Sequence, residues 1–379
     1  MTSKERITCA MNLQKPDRVP LMCQFSIGSM MVQLQPNPYL FWYDKNVFAD
    51  GLIEMCSRFK FDGILVSLHG HSDIWKSKLE NVESQEDGSY KLSFTDRTEI
   101  HSLSDLPLVK FKNEKEYIDI EDIDVENDIK LPLNYIPVSH NLYFDLNLDS
   151  MFDVFDILSA KVGDSVSIHG EITSPFDYLL DLLGYENGMI AMMMNPEKCK
   201  LILEKFALGV NKIADKMCDK NIDAIKISSP FAGMGFISLE QYEEFVLPYE
   251  KMIIETIRNK GKKVYIHTCG SIGDRLETMC LSGTSGLECL DPEPLGNVDL
   301  KDAFDRIGKQ VFIKGNIDSV NTLLNADDKK AEVDILEIMN IGKKYGNGFI
   351  LSTACSIAPK VPTKRLEMLY TLIQKYGYY

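Results

Sequence analysis

The chain has 379 residues, of which 45% are hydrophobic and 26% charged, so it can bury a large core without disulfides or structural metals. Its 56 acidic and 41 basic residues give a formal net charge of −15, which disfavours binding to nucleic acid or to an anionic membrane. The sequence shows no apolar stretch of membrane-spanning or signal-peptide length. These features predict a cytoplasmic globular protein whose nine cysteines stay reduced.

Eight short segments rich in β-branched and apolar residues predict strands. In chain order they are Arg18–Phe25, Asp62–Leu68, Ser165–His169, Asp223–Ser228, Lys263–His267, Ser285–Cys289, Val311–Gly315 and Gly348–Ser352. The runs are nearly continuous rather than alternating, as is typical of strands buried on both faces. Because helical patterns separate them, eight such units predict an α/β fold, a (β/α)8 TIM barrel.

Local signals place the ends of several helices between these strands. Asn195 followed by Pro196 predicts a helix that begins there and runs toward Asp219. The spacing of Ser238 and Gln241 is that of a capping box, which predicts the start of one long helix ending near Gly261. A shorter helix is predicted from Ser271 to Leu281.

A long interval separates the second and third predicted strands, so we predict a single barrel domain over residues 1–379 with an insertion at about 74–160. Within it, Leu92–Ile100 alternates like an exposed strand, and Glu114–Asp128 contains eight carboxylates. This acidic segment is either a lid or partner-docking element, or an insertion that is simply exposed to solvent. Runs of charged residues are usually exposed to solvent.

A candidate metal site follows from the ends of two predicted strands. His267 and Cys269 end the fifth strand, and Cys355 follows the eighth. The carboxyl ends of barrel strands share one rim, so one imidazole and two thiols can meet there. This donor set suits Zn²⁺ with an open fourth position, and the helix beginning at Ser271 would direct its dipole at the site. The alternative is that all three residues are core residues without a metal.

Other polar residues also follow strand ends and predict a polar rim. They are His69, His71 and Asp73, then His169 and Glu171, Ser228 and Ser229, Glu288 and Asp291, and Asn316 and Asp318. We predict catalytic roles for Glu171, His169 and Asn316, with Glu171 as a fourth zinc ligand or a hydrogen-bonding neighbour. A second metal site at His69, His71 and Asp73 is a weaker hypothesis. The remaining cysteines are predicted to fill the core, Cys218 and Cys289 among them.

Several segments occur in the order typical of one known family. They are Pro16–Pro20, Glu244–Tyr249, His267–Gly270, Lys314–Asp318 and Gly348–Leu351 with Ile357–Pro359. In these segments the chain resembles the uroporphyrinogen decarboxylase family over nearly its whole length, which implies a (β/α)8 barrel. The chain departs from the true decarboxylases at three places. The segment Cys23–Gly28 lacks the arginines that the decarboxylases carry there. Leu68 and His69 stand where the decarboxylases have an aspartate, and Cys355 stands where they have a histidine.

The pattern of His267, Cys269 and a distant Cys355 is similar to the zinc-dependent methyltransferase branch of that family, whose members include methylcobalamin:coenzyme M methyltransferases. The resemblance implies Zn²⁺ on these three residues, a methylcorrinoid co-substrate on a corrinoid protein, and a small thiol acceptor. A close alternative transfers methyl from an O-, N- or S-methyl compound to the corrinoid. A decarboxylating lyase and a non-enzymatic binding protein are further alternatives.

Overall fold

The structure is a computed structural model that describes residues 1–68, 73–113, 118–137 and 146–379. Over these ranges the strands are β1 Gly63–Val66, β2 Leu79–Ser84, β3 Tyr90–Phe94, β4 Arg97–His101, β5 Leu108–Phe111, β6 Ser167–Thr173, β7 Ala224–Ser228, β8 Lys263–Thr268, β9 Gly286–Cys289, β10 Phe312–Ile317 and β11 Phe349–Thr353.

The helices of the described ranges are α1 Ser3–Met11, α2 Ile27–Leu34, α3 Pro38–Tyr43, α4 Lys45–Phe59, α5 Trp75–Lys78, α6 Val125–Asp128, α7 Asp153–Val162, α8 Pro175–Leu183, α9 Tyr185–Met194, α10 Pro196–Cys218, α11 Leu239–Phe245, α12 Leu247–Asn259, α13 Leu276–Cys280, α14 Leu300–Ile307, α15 Asp328–Tyr345 and α16 Thr363–Tyr376. A 3₁₀ turn lies at Ile120–Asp122 and a π-helical turn at Ser319–Asn325. None of these helices has both the length and the apolar character required to cross a membrane.

Seven strands form one curled parallel sheet that positions the candidate site. Its order is β1-β6-β7-β8-β9-β10-β11, so neighbouring strands follow one another along the chain. Strands β1, β9, β10 and β11 are buried at every position, which explains the continuous apolar runs in the sequence. Seven of the eight predicted strands are therefore confirmed, with shifted ends.

The segment Arg18–Phe25 is not a regular strand, so the prediction of eight strands is wrong at this position. Leu21 forms a single parallel bridge with Leu351 of β11, and its carbonyl accepts from the amide of Asp62, 2.7 Å away, just before β1. Pro20 has no amide hydrogen and cannot extend the ladder. The segment therefore lies between the two edge strands without becoming a strand itself.

The predicted helices are confirmed at α10 and at the capping box of Ser238 and Gln241. The single long helix predicted after Ser238 is wrong, because α11 ends at Phe245 and α12 begins at Leu247. Pro248 in the first turn of α12 explains the break, since proline cannot donate to the preceding turn.

The insertion holds a second sheet, with the antiparallel order β2-β3-β4-β5. The single exposed strand predicted at Leu92–Ile100 is instead two strands, β3 and β4, and one face is buried: Leu92 and Glu99 are each at most 1% exposed. The Tyr43 hydroxyl donates to Glu99 from outside the sheet, so this face packs rather than faces solvent. The described carboxylates of the acidic segment, from Asp119 to Asp128, are exposed.

Inside the curled parallel sheet, a layer of apolar side chains lies nearer the amino-terminal ends of the strands than a layer of charged side chains. The apolar layer contains Leu65, Ala224, Tyr265, Phe312 and Ile350, and α1 packs on it through Ile7, Ala10 and Met11. Two positions further along the same strands come Lys226, His267 and Lys314, which point to the same face because side chains alternate along a strand. Helix α1 thus covers the amino-terminal end of the sheet, and the charged layer leads toward the opposite end.

Candidate metal centre

The three predicted metal ligands lie together at the carboxyl ends of β8 and β11. The Nε2 atom of His267 is 3.2 Å from the Sγ atom of Cys269, which is 3.8 Å from the Sγ atom of Cys355. All three donor atoms lie within 4.8 Å of one another. His267 is buried and the two cysteines are partly exposed, so the group sits at the edge of the interior rather than deep within it.

This donor set fits a tetrahedral Zn²⁺ ion. Zinc–sulfur bonds of about 2.3 Å at a tetrahedral angle separate two sulfurs by about 3.8 Å, and a nitrogen and a sulfur by about 3.5 Å. The observed separations, 3.8 Å and 3.2 Å, require only a small adjustment. The neighbouring thiols of Cys289 and Cys355 hold the pKa of Cys269 well below its usual range, which favours the thiolate form that a metal ion binds.

Glu288 of β9 holds the imidazole of His267 in place. Its Oε2 atom is 3.0 Å from Nδ1 of His267, which leaves Nε2 directed at the cysteines. The side chain is 2% exposed and also forms ion pairs with Lys314 and Lys226. Although burial raises the pKa of Glu288, the two lysines keep it well below its usual range. A carboxylate behind a ligating histidine is the arrangement that orients metal ligands in known sites.

The charged layer continues to Glu171 of β6 through Lys226 of β7. The Nζ atom of Lys226 is 3.0 Å from Oε2 of Glu171, and it donates to Oε1 of Gln24 at 2.7 Å. Glu171 is therefore paired with a lysine and does not join the three donor atoms as a fourth ligand in this structure. Sequence reasoning missed Lys226 and Lys314, although a lysine inside an otherwise apolar strand is a signal for a buried ion pair.

A third thiol, assigned to the core from sequence, also adjoins the site. Cys289 donates to the Oδ2 atom of Asp291 at 3.1 Å, and the Gly270 amide donates to the same oxygen at 2.7 Å. Cys289, Asp291 and Cys269 form a second possible metal-binding group. The predicted helix dipole beside Cys269 is wrong, because α13 begins only at Leu276; the turn after Cys269 is fixed by Asp291 instead.

Two of the predicted catalytic residues are enclosed. His169 is fully buried and its ring nitrogens contact Ser167 and Tyr265, each at 3.1 Å. Asn316 is 2% exposed and donates to the carbonyl of Leu290 at 2.9 Å. Both side chains therefore contact neighbouring protein groups and are closed off from solvent. Of the second predicted metal site, His69 and His71 lie outside the described residues.

Stability should depend on pH through His169. Burial lowers its pKa to about 4, whereas the unfolded chain titrates near pH 6.5. As the pH falls from about 6.5 toward 4, only the unfolded state takes up the proton, so the free energy of unfolding should fall by up to about 3 kcal/mol. Above pH 6.5 this contribution is fully present.

The variant His169→Gln keeps hydrogen-bonding capacity but cannot titrate. Urea unfolding of the metal-free proteins should show a smaller stability loss between pH 7 and pH 4.5 in the variant than in the wild type. Equal losses in both proteins would contradict the assignment of this pH dependence to His169.

A cavity of about 350 Å³ opens beside the candidate metal centre, at the carboxyl ends of β1, β6 and β7. Its lining includes Glu171, Thr173, Ser228 and Ser356, the residue that follows Cys355. This volume suits a small molecule. A larger cavity of about 570 Å³ lies beside Met11 at the opposite end of the sheet, away from the candidate ligands.

More than half of the chain matches one known protein family. Residues 122–376 match the model of the family described as Uroporphyrinogen decarboxylase (URO-D). Among curated relatives, a methylcobamide:CoM methyltransferase of Methanosarcina mazei is 23% identical over 100% of this chain and 99% of its own length. Its counterpart in Methanosarcina acetivorans is 26% identical over 60% of this chain and 64% of that protein. A uroporphyrinogen decarboxylase of Prochlorococcus marinus is 23% identical over 67% of this chain and 72% of its own length.

Among solved structures, a methyltransferase from Methanosarcina mazei covers 99% of both chains with a TM-score of 0.73 at 18% identity. At this identity the similarity concerns the fold. It agrees with the curled parallel sheet and its surrounding helices.

Proposed function

This chain belongs to the uroporphyrinogen decarboxylase (URO-D) family, and we propose that it is a zinc-dependent methyltransferase that moves a methyl group between a corrinoid and a small molecule. The observation that carries the proposal is the convergence of His267, Cys269 and Cys355 beside a cavity. The methyltransferase names of two relatives support the reaction class.

Three protein donors leave one coordination position for the small molecule, as in catalytic zinc sites. A Zn²⁺ ion held there would supply a Lewis acid that lowers the pKa of a thiol. The thiol sulfur then attacks the methyl group of a methylcorrinoid. The sulfur–carbon bond forms as the cobalt–carbon bond breaks, its electron pair stays on cobalt, and the thiol proton passes to solvent.

The protein's own residues orient this reaction. Glu288 fixes His267, and Glu171 lines the cavity where it can contact the small molecule. Asn316 and His169 act as positioning residues through Leu290 and Tyr265. Methyl transfer in the reverse direction, from an O-, N- or S-methyl compound to a corrinoid protein, would use the same open position.

The decarboxylase alternative fits the cavity poorly. Uroporphyrinogen carries many carboxylates, and their recognition requires arginine or lysine. Among the described residues that line the cavity, none is arginine or lysine. We therefore favour methyl transfer over a lyase reaction.

The test combines metal analysis with a methylcobalamin assay. The purified protein should contain about one zinc ion per chain, and it should demethylate methylcobalamin with at least one member of a thiol panel, which is followed by visible absorbance. X-ray absorption should show one additional sulfur at about 2.3 Å when that thiol binds. Coproporphyrinogen formation from uroporphyrinogen at enzymatic rates, without methyl transfer, would establish the lyase instead.

A further inference from the structure

The charges around the cavity indicate which small molecules it accepts. Its described lining contains the acidic side chains of Glu171, Asp177 and Asp181 and no cationic side chain. Burial raises the pKa of Asp177 to about 8, so this side chain is mostly uncharged at neutral pH and adds little negative charge. An anionic head group entering it would lose water without gaining a charged partner, which is costly in a partly enclosed site. The −15 net charge of the chain acts in the same direction.

The two lysines beneath the cavity do not change this balance. Lys226 is 1% exposed and lies 3.0 Å from Glu171 and 3.5 Å from Glu288. Lys314 is fully buried and pairs with Glu288 and with the hydroxyl of Ser352. Each lysine is therefore already paired with a carboxylate of the protein and is not available to an anionic ligand. For the same reason, the paired Glu171 offers little to a cationic head group.

Much of the cavity wall is apolar and aromatic. This part of the lining includes Phe25, Met30, Phe48, Leu52 and Phe231. Phe25 stacks on Phe61 with ring centroids 4.9 Å apart, and Phe231 packs edge-on against Tyr185 at 4.8 Å. These contacts hold the rings in place, so the wall offers a preformed apolar surface to a planar or hydrocarbon group.

We propose that the small-molecule substrate is an uncharged thiol or methyl thioether with an apolar body, and that anionic thiols are excluded. This inference rests on the methyltransferase function proposed above and names the substrate class of that same site. The apolar body would lie against Phe25 and Phe231, with the sulfur toward Cys355.

The experiment compares matched thiols on the zinc-loaded protein by calorimetry and by methylcobalamin demethylation. Phenylmethanethiol is compared with its para-carboxylated derivative, and mercaptoethanol with mercaptoethanesulfonate. In each pair the uncharged thiol should bind at least about tenfold more tightly, as expected for a buried charge without a partner. Benzyl methyl sulfide should compete with phenylmethanethiol.

A charge-introducing variant sharpens the test. Tyr185 is 43% exposed at the cavity edge, and an arginine there can stack on Phe231. Tyr185→Arg should narrow the preference for uncharged thiols by several-fold relative to the matched control Tyr185→Gln, which loses the same ring contact with Phe231 but adds no charge. Tighter binding of the anionic member of both pairs by the wild type would overturn the inference while leaving the methyltransferase function intact. Zinc binding without methyl transfer to any thiol would overturn both.

Discussion

Replacing Cys355 by alanine should abolish stoichiometric zinc binding. The change removes one of three donor atoms that lie within 4.8 Å of one another. The loss of affinity should exceed the roughly 10- to 100-fold loss that follows removal of a hydrogen-bonding partner of a metal ligand. Metal analysis after dialysis against a weak chelator measures the effect, and methylcobalamin demethylation should disappear with the zinc.

The matched control is Cys218→Ala, because Cys218 is buried at the end of α10 and belongs to neither possible metal-binding group of the described chain. It should retain the zinc content of the wild type. Thermal unfolding of the metal-free proteins should differ little for Cys355→Ala, since the site lies at the end of the sheet outside the main core. Equal zinc content in Cys355→Ala and wild type would refute the ligand assignment.

Glu288→Gln should have the second large effect, because it should lower both the free energy of unfolding and the affinity for zinc. Lys314 loses its carboxylate partner while fully buried, and Lys226 keeps its carboxylate partner Glu171 and its hydrogen bond to Gln24. Breaking a buried ion pair by removing one partner costs about 3–5 kcal/mol, which urea unfolding of the metal-free protein measures. Zinc affinity should fall by about 10- to 100-fold because His267 loses its orienting hydrogen bond.

Two further variants separate these effects. Glu277→Gln breaks an exposed pair with Arg306 and should cost less than about 1 kcal/mol. Adding Lys314→Met to Glu288→Gln removes the uncompensated charge and should restore much of the stability without restoring zinc affinity. If the double variant regains zinc affinity as well, Glu288 acts on the metal only through fold stability.

The parallel sheet could be predicted because its signal is local. Each strand is a short apolar run between helices, and seven of the eight runs form strands. The exception, Arg18–Phe25, has the same composition, but Pro20 limits its pairing to single bridges. The two strands that overlap Leu92–Ile100, β3 and β4, could not be predicted, because alternation shows the faces of a strand and does not show where the chain turns.

The convergence of His267, Cys269 and Cys355 could be inferred because residues at the carboxyl ends of parallel strands share one edge. The roles of Cys289, Lys226 and Lys314 could not, since they depend on which side chains meet across different strands. Cys289 resembles a core residue in sequence, and its contact with Asp291 arises from a backbone with a φ of 85°. Few non-glycine residues adopt such a conformation, and no local sequence signal indicates it here.

The packing of α1 against the amino-terminal end of the sheet has a kinetic consequence. Under the proposed function, a small molecule and a corrinoid protein would both approach from the opposite end of the sheet, where the candidate metal ligands lie. A bulky partner docked there would hinder passage of the small molecule. We therefore expect the small molecule to bind first and its product to leave last.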